Sequence, residues 1–396
     1  MISADFAPNE NPGDAWLSFK LIFQPWRWTR QEELQRIKPK IFDFLGLKKT
    51  SGLNICFFLT ARSALYYYLK SLSLPDESQV LVQGLTCEAV VLPIIEDKLK
   101  PVYVDIENKS FSMDLEDLKK KITGKTKVII LQHSFGITPF YRKEIIKLAR
   151  EKRLFLIEDL AHGSNADFSF ASDYERGAYL LSFGRSKSVS AVFGGAIVSK
   201  KEIRFNLPLP SNAFILSCLL YKPLSIIIKA SYDIKVGKII HWLIRRFKLI
   251  VPEITDKEKR GEYSHFFDKA FPSALAILLD RQLDGYEETK KRRSNSVKYY
   301  LDHLDKPFQM TLQPLMRYPL LVENRGEILK KMAEKHIYLG KWYDQVIAPN
   351  TLDLNKVKYK VGSCPNAEQI SRQIINLPTN IDLESGRKIL EILNGN

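Results

Sequence analysis

The sequence predicts an α/β fold, with a large domain around a mostly parallel central sheet and a small C-terminal α/β domain. Three observations carry this reading. Between about 53 and 200, short apolar runs alternate with amphipathic stretches, the pattern of strands joined by helical crossovers of roughly 10–12 residues. After a long helical stretch the alternation resumes towards the C-terminus. At 396 residues and 45% hydrophobic content, the chain exceeds one ordinary domain and has enough apolar surface for a sizeable core.

Taken in order, Asn54–Leu59 reads as a strand and Ala61–Leu72 as a helix. Gln79–Val82, Pro101–Val104, Val128–Gln132 and Leu154–Glu158 are further strands. Cys87–Asp97, Asp114–Ile122 and Tyr141–Lys152 are the helices between them. Tyr179–Ser182 and Gly195–Val198 complete the sheet. In such sheets ligands gather beyond the carboxyl ends of the strands, which points to Asp159, His133 and Phe183. Residues 205–262 break the alternation: Pro208, Pro210 and Pro223 punctuate two apolar stretches of helical spacing, Phe214–Leu220 and Leu224–Leu243. A long helix is expected over about 273–302, then a strand at Tyr318–Val322 and helices at Arg325–Lys335 and Glu384–Leu393. The implied division is an N-terminal segment 1–45, a large domain 46–204, a basic amphipathic helical insertion 205–265, and a long helix with a small domain over 266–396.

The net charge of +15 and a pI near 9.4 favour anionic partners. Nucleic acid is the weakest of these, since no basic stripe is interleaved with aromatics in a recognisable module. A lysine-rich solvated surface is the plain alternative. Cys56, Cys87, Cys218 and Cys364 are scattered with no metal-ligand spacing, so a reducing compartment and no metal site are expected. The N-terminus lacks a basic stretch followed by an apolar run, and no apolar run reaches the ~20 residues of a membrane span, so a cytoplasmic chain is expected. The stretch 207–250 offers a second location. Its bases outnumber the single acid Asp233, and apolar helices flanked by bases suit the surface of an anionic membrane. The segment LIFQPWRW (21–28) adds Trp and Arg, which favour interfaces. An extra helical layer packed on the domain is the preferred reading.

Three segments carry chemistry jointly. LIEDLAHG (156–163) ends a buried strand in Glu158-Asp159, with His162 three residues on. LLSFGRSKSVSAVFGGAIVS (180–199) delivers Ser182, a polar turn with Lys187, and Gly194-Gly195 opening another strand. LTARSALYYYL (59–69) is a strand-to-helix turn starting at Thr60. Pyridoxal phosphate needs these residue types. A lysine must bond its aldehyde and then move protons at the substrate α-carbon. A carboxylate must keep its pyridine nitrogen protonated. A helix N-terminus with hydroxyl or basic side chains must hold its phosphate. Asp159, Lys187 28 residues later, and the helix start Thr60–Ser63 supply all three. Singly, each has a plainer reading: Lys187 as a solvated surface lysine, Asp159 as a helix cap, His162 as a satisfied core histidine, and Cys87 as a small buried hydrophobe. The joint spacing decides for Lys187 and Asp159. Arg185 stays open between a surface role and a phosphate contact, and His133 is assigned no chemistry.

The ordered set ARSAL (61–65), QGLTCEAVV (83–91), KPVYVDI (100–106), IILQHSFG (129–136), IEDLAHG (157–163) and SFGRSKSVSAVFGGA (182–196) resembles the DegT/StrS-type aminotransferases. LLDRQLDGYEETKKRR (278–293) and GSCPNAEQISRQIINLPTN (362–380) look like that family's C-terminal landmarks, so the likeness spans about 45–200 and 268–390. The resemblance implies a fold-type I pyridoxal-phosphate enzyme that works as a homodimer. It makes Lys187 the Schiff-base lysine, Asp159 the pyridinium partner, and His162 the neighbour of the cofactor's phenolic oxygen. It makes Ser182 and the turn Ala61-Arg62-Ser63 phosphate ligands, and sets Cys87 against the ring face.

The implied activity moves an amino group from an amino acid, glutamate by family habit, onto an anionic keto-sugar nucleotide, for cell-surface polysaccharide or related amino-sugar synthesis. Two alternatives stand beside it. One is a sugar dehydratase on the same scaffold, disfavoured because such members replace the lysine by histidine. The other is a non-catalytic cofactor-binding protein at the membrane surface. There is also a departure. Where the family reaches the neighbouring subunit's phosphate with an Asn-Tyr-Arg segment, this chain has Asp268-Lys269-Ala270. An aspartate repels phosphate, and Lys269 is the electrostatic substitute.

Overall fold

The computed structural model describes residues 1–30, 32–47, 52–163, 169–247, 249–308 and 310–395. Among them a seven-stranded sheet carries the fold. Its strands are β1 (Asn54–Phe58), β2 (Gln79–Gln83), β3 (Lys100–Val104), β4 (Thr126–Gln132), β5 (Phe155–Asp159), β6 (Gly177–Ser182) and β7 (Gly195–Ser199). They lie in the order β1-β7-β6-β5-β4-β2-β3. Strands β2 to β6 pair in parallel, and β7 runs antiparallel to both of its neighbours. Val128–Leu131 of β4 are fully buried on both faces, as a strand central to a helix-covered parallel sheet must be. Each of these strands falls within about two residues of the sequence reading, because apolar runs bounded by polar turns leave little freedom in register.

The longer helices are α1 (Pro12–Ile22), α2 (Glu32–Phe44), α3 (Ala61–Ser71), α4 (Glu88–Glu96), α5 (Leu115–Lys121), α6 (Arg142–Glu151), α7 (Asn212–Ser231), α8 (Val236–Arg246), α9 (Ser273–Asp284), α10 (Tyr286–His303), α11 (Arg325–Glu334), α12 (Pro365–Gln373) and α13 (Leu383–Asn394). Side-chain caps fix several starts. The Thr60 hydroxyl accepts from Ser63 N–H ahead of α3, and the Asp114 carboxylate from Asp117 N–H ahead of α5. Towards the C-terminus β8 (Arg317–Leu321) and β9 (Ile374–Pro378) pair antiparallel, and α11 packs against α13.

Two expectations are corrected. The helix expected over 273–302 is two helices separated at Gly285. The first turns of α9 are buried nearly all round, and α9 packs on α2, whereas the largely polar α10 packs on α13. The two therefore need different directions, and glycine leaves the helix at little cost.

Pro223 also does not divide its segment, because α7 runs straight through it from Asn212 to Ser231. A proline at 223 supplies no N–H to Leu219 O, and the Ser18 hydroxyl of α1 donates to that carbonyl instead, at 2.7 Å. By length and composition α7 could cross a membrane, yet half of it is buried within the fold, against α1 and α9. Lys222, read as one of the segment's solvated bases, is buried and paired at 2.7 Å with the equally buried Glu10. Helix α8 then doubles back along α7 with its own apolar side largely exposed.

Replacing the proline's missing donor is a measurable contribution. Ser18→Ala is expected to lower stability by about 1 kcal/mol, the net worth of one neutral hydrogen bond. In a Pro223→Ala background, where residue 223 provides its own N–H, the loss should shrink to a few tenths of that. Chemical denaturation of the four proteins gives the coupling directly.

Candidate active site

The parallel strands bring their carboxyl ends to one edge of the sheet, with Gln132 ending β4, Asp159 ending β5 and Ser182 ending β6. Because β7 is reversed, its opening Gly194-Gly195 arrives at the same edge, beside Thr60 and the start of α3. The approach is close: a Cβ on Gly195 would lie 2.3 Å from Ala61 N. Only glycine permits it. A cavity of about 370 Å³ opens there, lined by Thr60, Ala61, Arg62, Cys87, Asp159, His162, Ser182 and Lys187. Its outer wall comes from elsewhere: Trp342 and Tyr343 from the C-terminal half, Asp5 from the N-terminal arm, and Glu253 and Ile254 from the segment after α8. The volume is within the usual range for small-molecule sites.

Lys187 sits in the turn after β6, its N–H bonded to Gly184 O at 3.1 Å and its own carbonyl accepting from the Asn9 side chain. Its ammonium lies 4.7 Å from the centre of the Trp342 ring. Burial pushes the Lys187 amine below the usual lysine range, with Cys87 and Asp159 pulling it back up and Arg317 adding to the fall. A larger share of neutral, nucleophilic amine follows.

Burial likewise raises the Asp159 carboxyl, opposed by the Ala161 N–H at 2.9 Å and by the charge of Lys187. The preceding residue, Glu158, points to the opposite side of the strand and takes two bonds from Arg142, at 2.6 and 3.0 Å. Adjacent carboxylates on one strand thus serve separate purposes, with Asp159 in the cavity and Glu158 in the structure.

His162 is neutral, held well below the usual histidine range by burial and by the cations Lys187 and Arg317. Its Nδ1 accepts from Phe135 N–H at 3.0 Å, so the proton resides on Nε2, which donates to the Tyr343 hydroxyl at 3.1 Å. Both ring nitrogens therefore have protein partners, and His162 offers the cavity its ring, stacked 5.0 Å from Trp342. Cys87 precedes α4 with its thiol pushed up to about 12 by burial and by Glu88, so it is a neutral wall.

Of the phosphate ligands expected from the sequence, Ser63 is placed elsewhere. Its hydroxyl bonds Phe267 O at 3.0 Å and Asp268 Oδ1 at 2.8 Å. Asp268 also takes the Tyr263 hydroxyl at 2.8 Å and meets His265 Nδ1 at 2.7 Å, so it is an internal node of its own chain. Arg62 lines the cavity but is held by the Glu258 carboxylate and by Glu253 O. Arg185 meets neither of its expected roles, since its side chain bonds Val251 O at 2.5 Å and lies over Tyr221.

The residues that sequence reasoning missed all come from segments distant in the chain. The Asn9 carboxamide is gripped by Arg293 Nη2 at 2.7 Å, which ties the N-terminal arm to the lysine turn. Arg317, fully buried at the start of β8, pairs with Asp5 and lies 3.4 Å over the Trp342 ring. No local spacing marks such contacts; a polar NEN tripeptide (9–11) ahead of a helix was the available sign.

The model of the DegT/DnrJ/EryC1/StrS aminotransferase family matches residues 24–205 and 271–393, leaving out the stretch that holds α7 and α8. The chain is 31% identical over 151 residues to a GDP-perosamine synthase of Escherichia coli O157:H7, covering 36% of this chain and 39% of that protein. It is 32% identical over 168 residues to a dTDP-4-amino-4,6-dideoxy-D-glucose transaminase of Escherichia coli, covering 42% and 43%. The matched stretches thus span about two fifths of these curated relatives' length. In fold, the chain is similar to a DegT/DnrJ/EryC1/StrS aminotransferase from Brucella abortus, with TM-score 0.69, 18% identity, and 97% and 95% of the two chains covered. It is also similar to the E. coli GDP-4-keto-6-deoxy-D-mannose-3-dehydratase, with TM-score 0.71, 16% identity, and 99% and 100% covered. The family model spans well over half of the chain, and the protein belongs to the DegT/DnrJ/EryC1/StrS aminotransferase family.

Proposed function

We propose that this protein is a pyridoxal-phosphate-dependent aminotransferase that transfers an amino group from an amino acid, with glutamate the first donor to test, to a keto-sugar nucleotide. The observation that carries this is the convergence of Lys187, Asp159, Ser182 and the start of α3 on one cavity at one sheet edge. The residues present fit the cofactor. Lys187 supplies the amine for its aldehyde, Asp159 the charge for its ring nitrogen, and Ser182 with the first N–H groups of α3 the donors for its phosphate. Cys87 and Trp342 provide neutral walls for a flat ring. The bound cofactor supplies an electron sink for charge developing at the substrate α-carbon.

The chain's own part is positioning and proton traffic. The lowered affinity of Lys187 for its proton suits it to take a proton from the substrate carbon and return one to the cofactor carbon. Asp159 is kept dry, so its charge acts on the ring nitrogen at low dielectric. His162 holds the Tyr343 hydroxyl at the cavity wall and adds no charge there. The names of the relatives, which act on GDP- and dTDP-linked sugars, support the acceptor class, and the net charge of +15 is consistent with a diphosphate. A lysine at 187, where dehydratase members carry histidine, supports transamination over deoxygenation. Lys187→Ala is expected to abolish the absorbance band of protein-bound cofactor together with turnover. Asp159→Asn should keep binding while cutting turnover by roughly 10²–10³-fold. Full activity in Lys187→Ala against a panel of keto-sugar nucleotides would rule the proposal out.

We also infer a working location at an anionic membrane surface, supported by α8. That helix exposes Ile239, Trp242 and Leu243, followed by exposed Phe247, with Lys235, Lys238 and Arg246 alongside. Helix α1, which also packs on α7, exposes Trp16 and Phe19, followed by exposed Phe23. Exposed aromatic and aliphatic side chains flanked by bases suit the lipid headgroup boundary. Co-sedimentation with vesicles rich in phosphatidylglycerol should be strong, weaker with neutral vesicles, and lost in Trp242→Glu/Phe247→Glu. Equal pelleting of the double variant would remove the inference.

A further inference from the structure

The segment between α8 and the start of the C-terminal half, residues 251–258, passes one end of the cavity as a strap tied down at both ends. At its start the Val251 N–H donates to Ser217 Oγ of α7 at 2.9 Å, and Val251 O accepts from Arg185 Nη2 at 2.5 Å. At its far end Glu258 is buried, closes a capping box with Thr255, and pairs with Arg62 in the first turn of α3. Between the two ties Glu253 and Ile254 face the cavity.

The position of Glu253 is the telling feature. Its Oε1 accepts from the backbone N–H of Arg185 at 3.2 Å, and its carbonyl accepts from Arg62 Nη2 at 2.5 Å. Gly184 is the common point. A Cβ placed there would lie 3.5 Å from Glu253 Oε1, 3.6 Å from Lys187 Cγ and 3.8 Å from Ser182 Oγ. A carboxylate therefore sits beside Gly184, on the turn that joins Ser182 to Lys187, with its charge felt by Lys187 and Arg317. Arg62, the nearest side chain suited to a phosphate, is already engaged by the same strap.

We propose that the strap is a built-in gate on cofactor loading, with Glu253 acting as an internal anion that competes with the cofactor's phosphate for this end of the cavity. This rests on the cofactor reading given under the proposed function. Two anions held close together at low dielectric repel, so phosphate entry requires Glu253 to withdraw. The strap's ties at Ser217 and Glu258 give it a defined place from which to withdraw and to which it returns. The segment belongs to the stretch that the family model leaves unmatched.

The test is a titration of the cofactor-stripped full chain and of Glu253→Gln with pyridoxal phosphate and, separately, with pyridoxal, followed by absorbance of the protein-bound form. Glutamine keeps the acceptor for Arg185 N–H and removes only the charge. The dissociation constant for pyridoxal phosphate is expected to fall roughly ten- to a hundredfold, with that for pyridoxal unchanged. Glu253→Ala, checked by thermal melting for an intact fold, should show the same selectivity. Unchanged or weaker binding of pyridoxal phosphate overturns the gate. So does equal tightening of both ligands, because the charge would then be acting on the Lys187 amine. If neither protein binds either compound, the cofactor reading itself falls, and the gate with it.

Discussion

The site depends on one steric constraint, the contact between Gly195 and the first turn of α3. Strand β7 runs against its neighbours, which brings its opening residues to the edge where the other strands end. With no Cβ at 195, the Ala61 amide comes as close as the pairing of β7 with β1 and β6 demands. Gly194 adds a backbone with φ of +147°, and a Cβ there would meet Phe271 at 2.9 Å. A side chain at 195 would push α3 away from Ser182, and one at 194 would collide with Phe271 and Phe183. The Ser182 hydroxyl and the N-terminus of α3 are thus held at one edge by the missing Cβ of Gly195.

Burial then gives the assembled residues their character. Desolvation lowers Lys187 and raises Asp159, moving the two groups' proton affinities towards each other, so the pair is sensitive to whatever charge enters between them. The neutral state of His162 has the same origin, reinforced by two nearby cations. Desolvating charges is tolerable only where partners are fixed in place, and here the partners come from remote segments. Asp5 from the N-terminal arm meets Arg317, Glu10 meets Lys222 of α7, and Glu258 after α8 meets Arg62. The arm and the helical segment are in this way electrostatic supports of the site as well as surface layers.

This separation explains what the sequence disclosed. Strands β1 to β7, the helix starts at Thr60 and Asp114, and the convergence of Asp159, Ser182 and Lys187 were legible because each depends on local spacing: apolar runs, caps, and strand ends that share one edge. The continuous α7 was not legible, because the group that excuses Pro223 is Ser18, some two hundred residues earlier. The break at Gly285 depends on which partner each half packs against, α2 or α13, and composition does not reveal that. Asp5, Trp342 and Glu253 reach the cavity, and Asn9 the Lys187 turn, through tertiary contacts alone. Ser63 illustrates the converse: its place in the motif was visible, but the direction of its hydroxyl depends on Asp268 and Phe267 O.

Asp268, read from the sequence as a poor phosphate contact, is spent inside its own chain. As a phosphate contact it would be repulsive, yet it accepts from Ser63 and Tyr263 and meets His265, a set that uses its charge fully inside its own chain. Those bonds fasten the loop before α9 to the first turn of α3, directly behind the helix end that faces the cavity. A carboxylate buried there stabilises the loop because its donors are all supplied locally, and the same satisfaction leaves it nothing to offer a ligand. On the cavity side of that turn Arg62 is balanced by Glu258. Both faces of the turn thus meet acids of the same chain, while the start of α3 and Ser182 still line the cavity. An anion entering there would meet dipoles at that turn, and the nearby carboxylate of Glu253 would weigh on it.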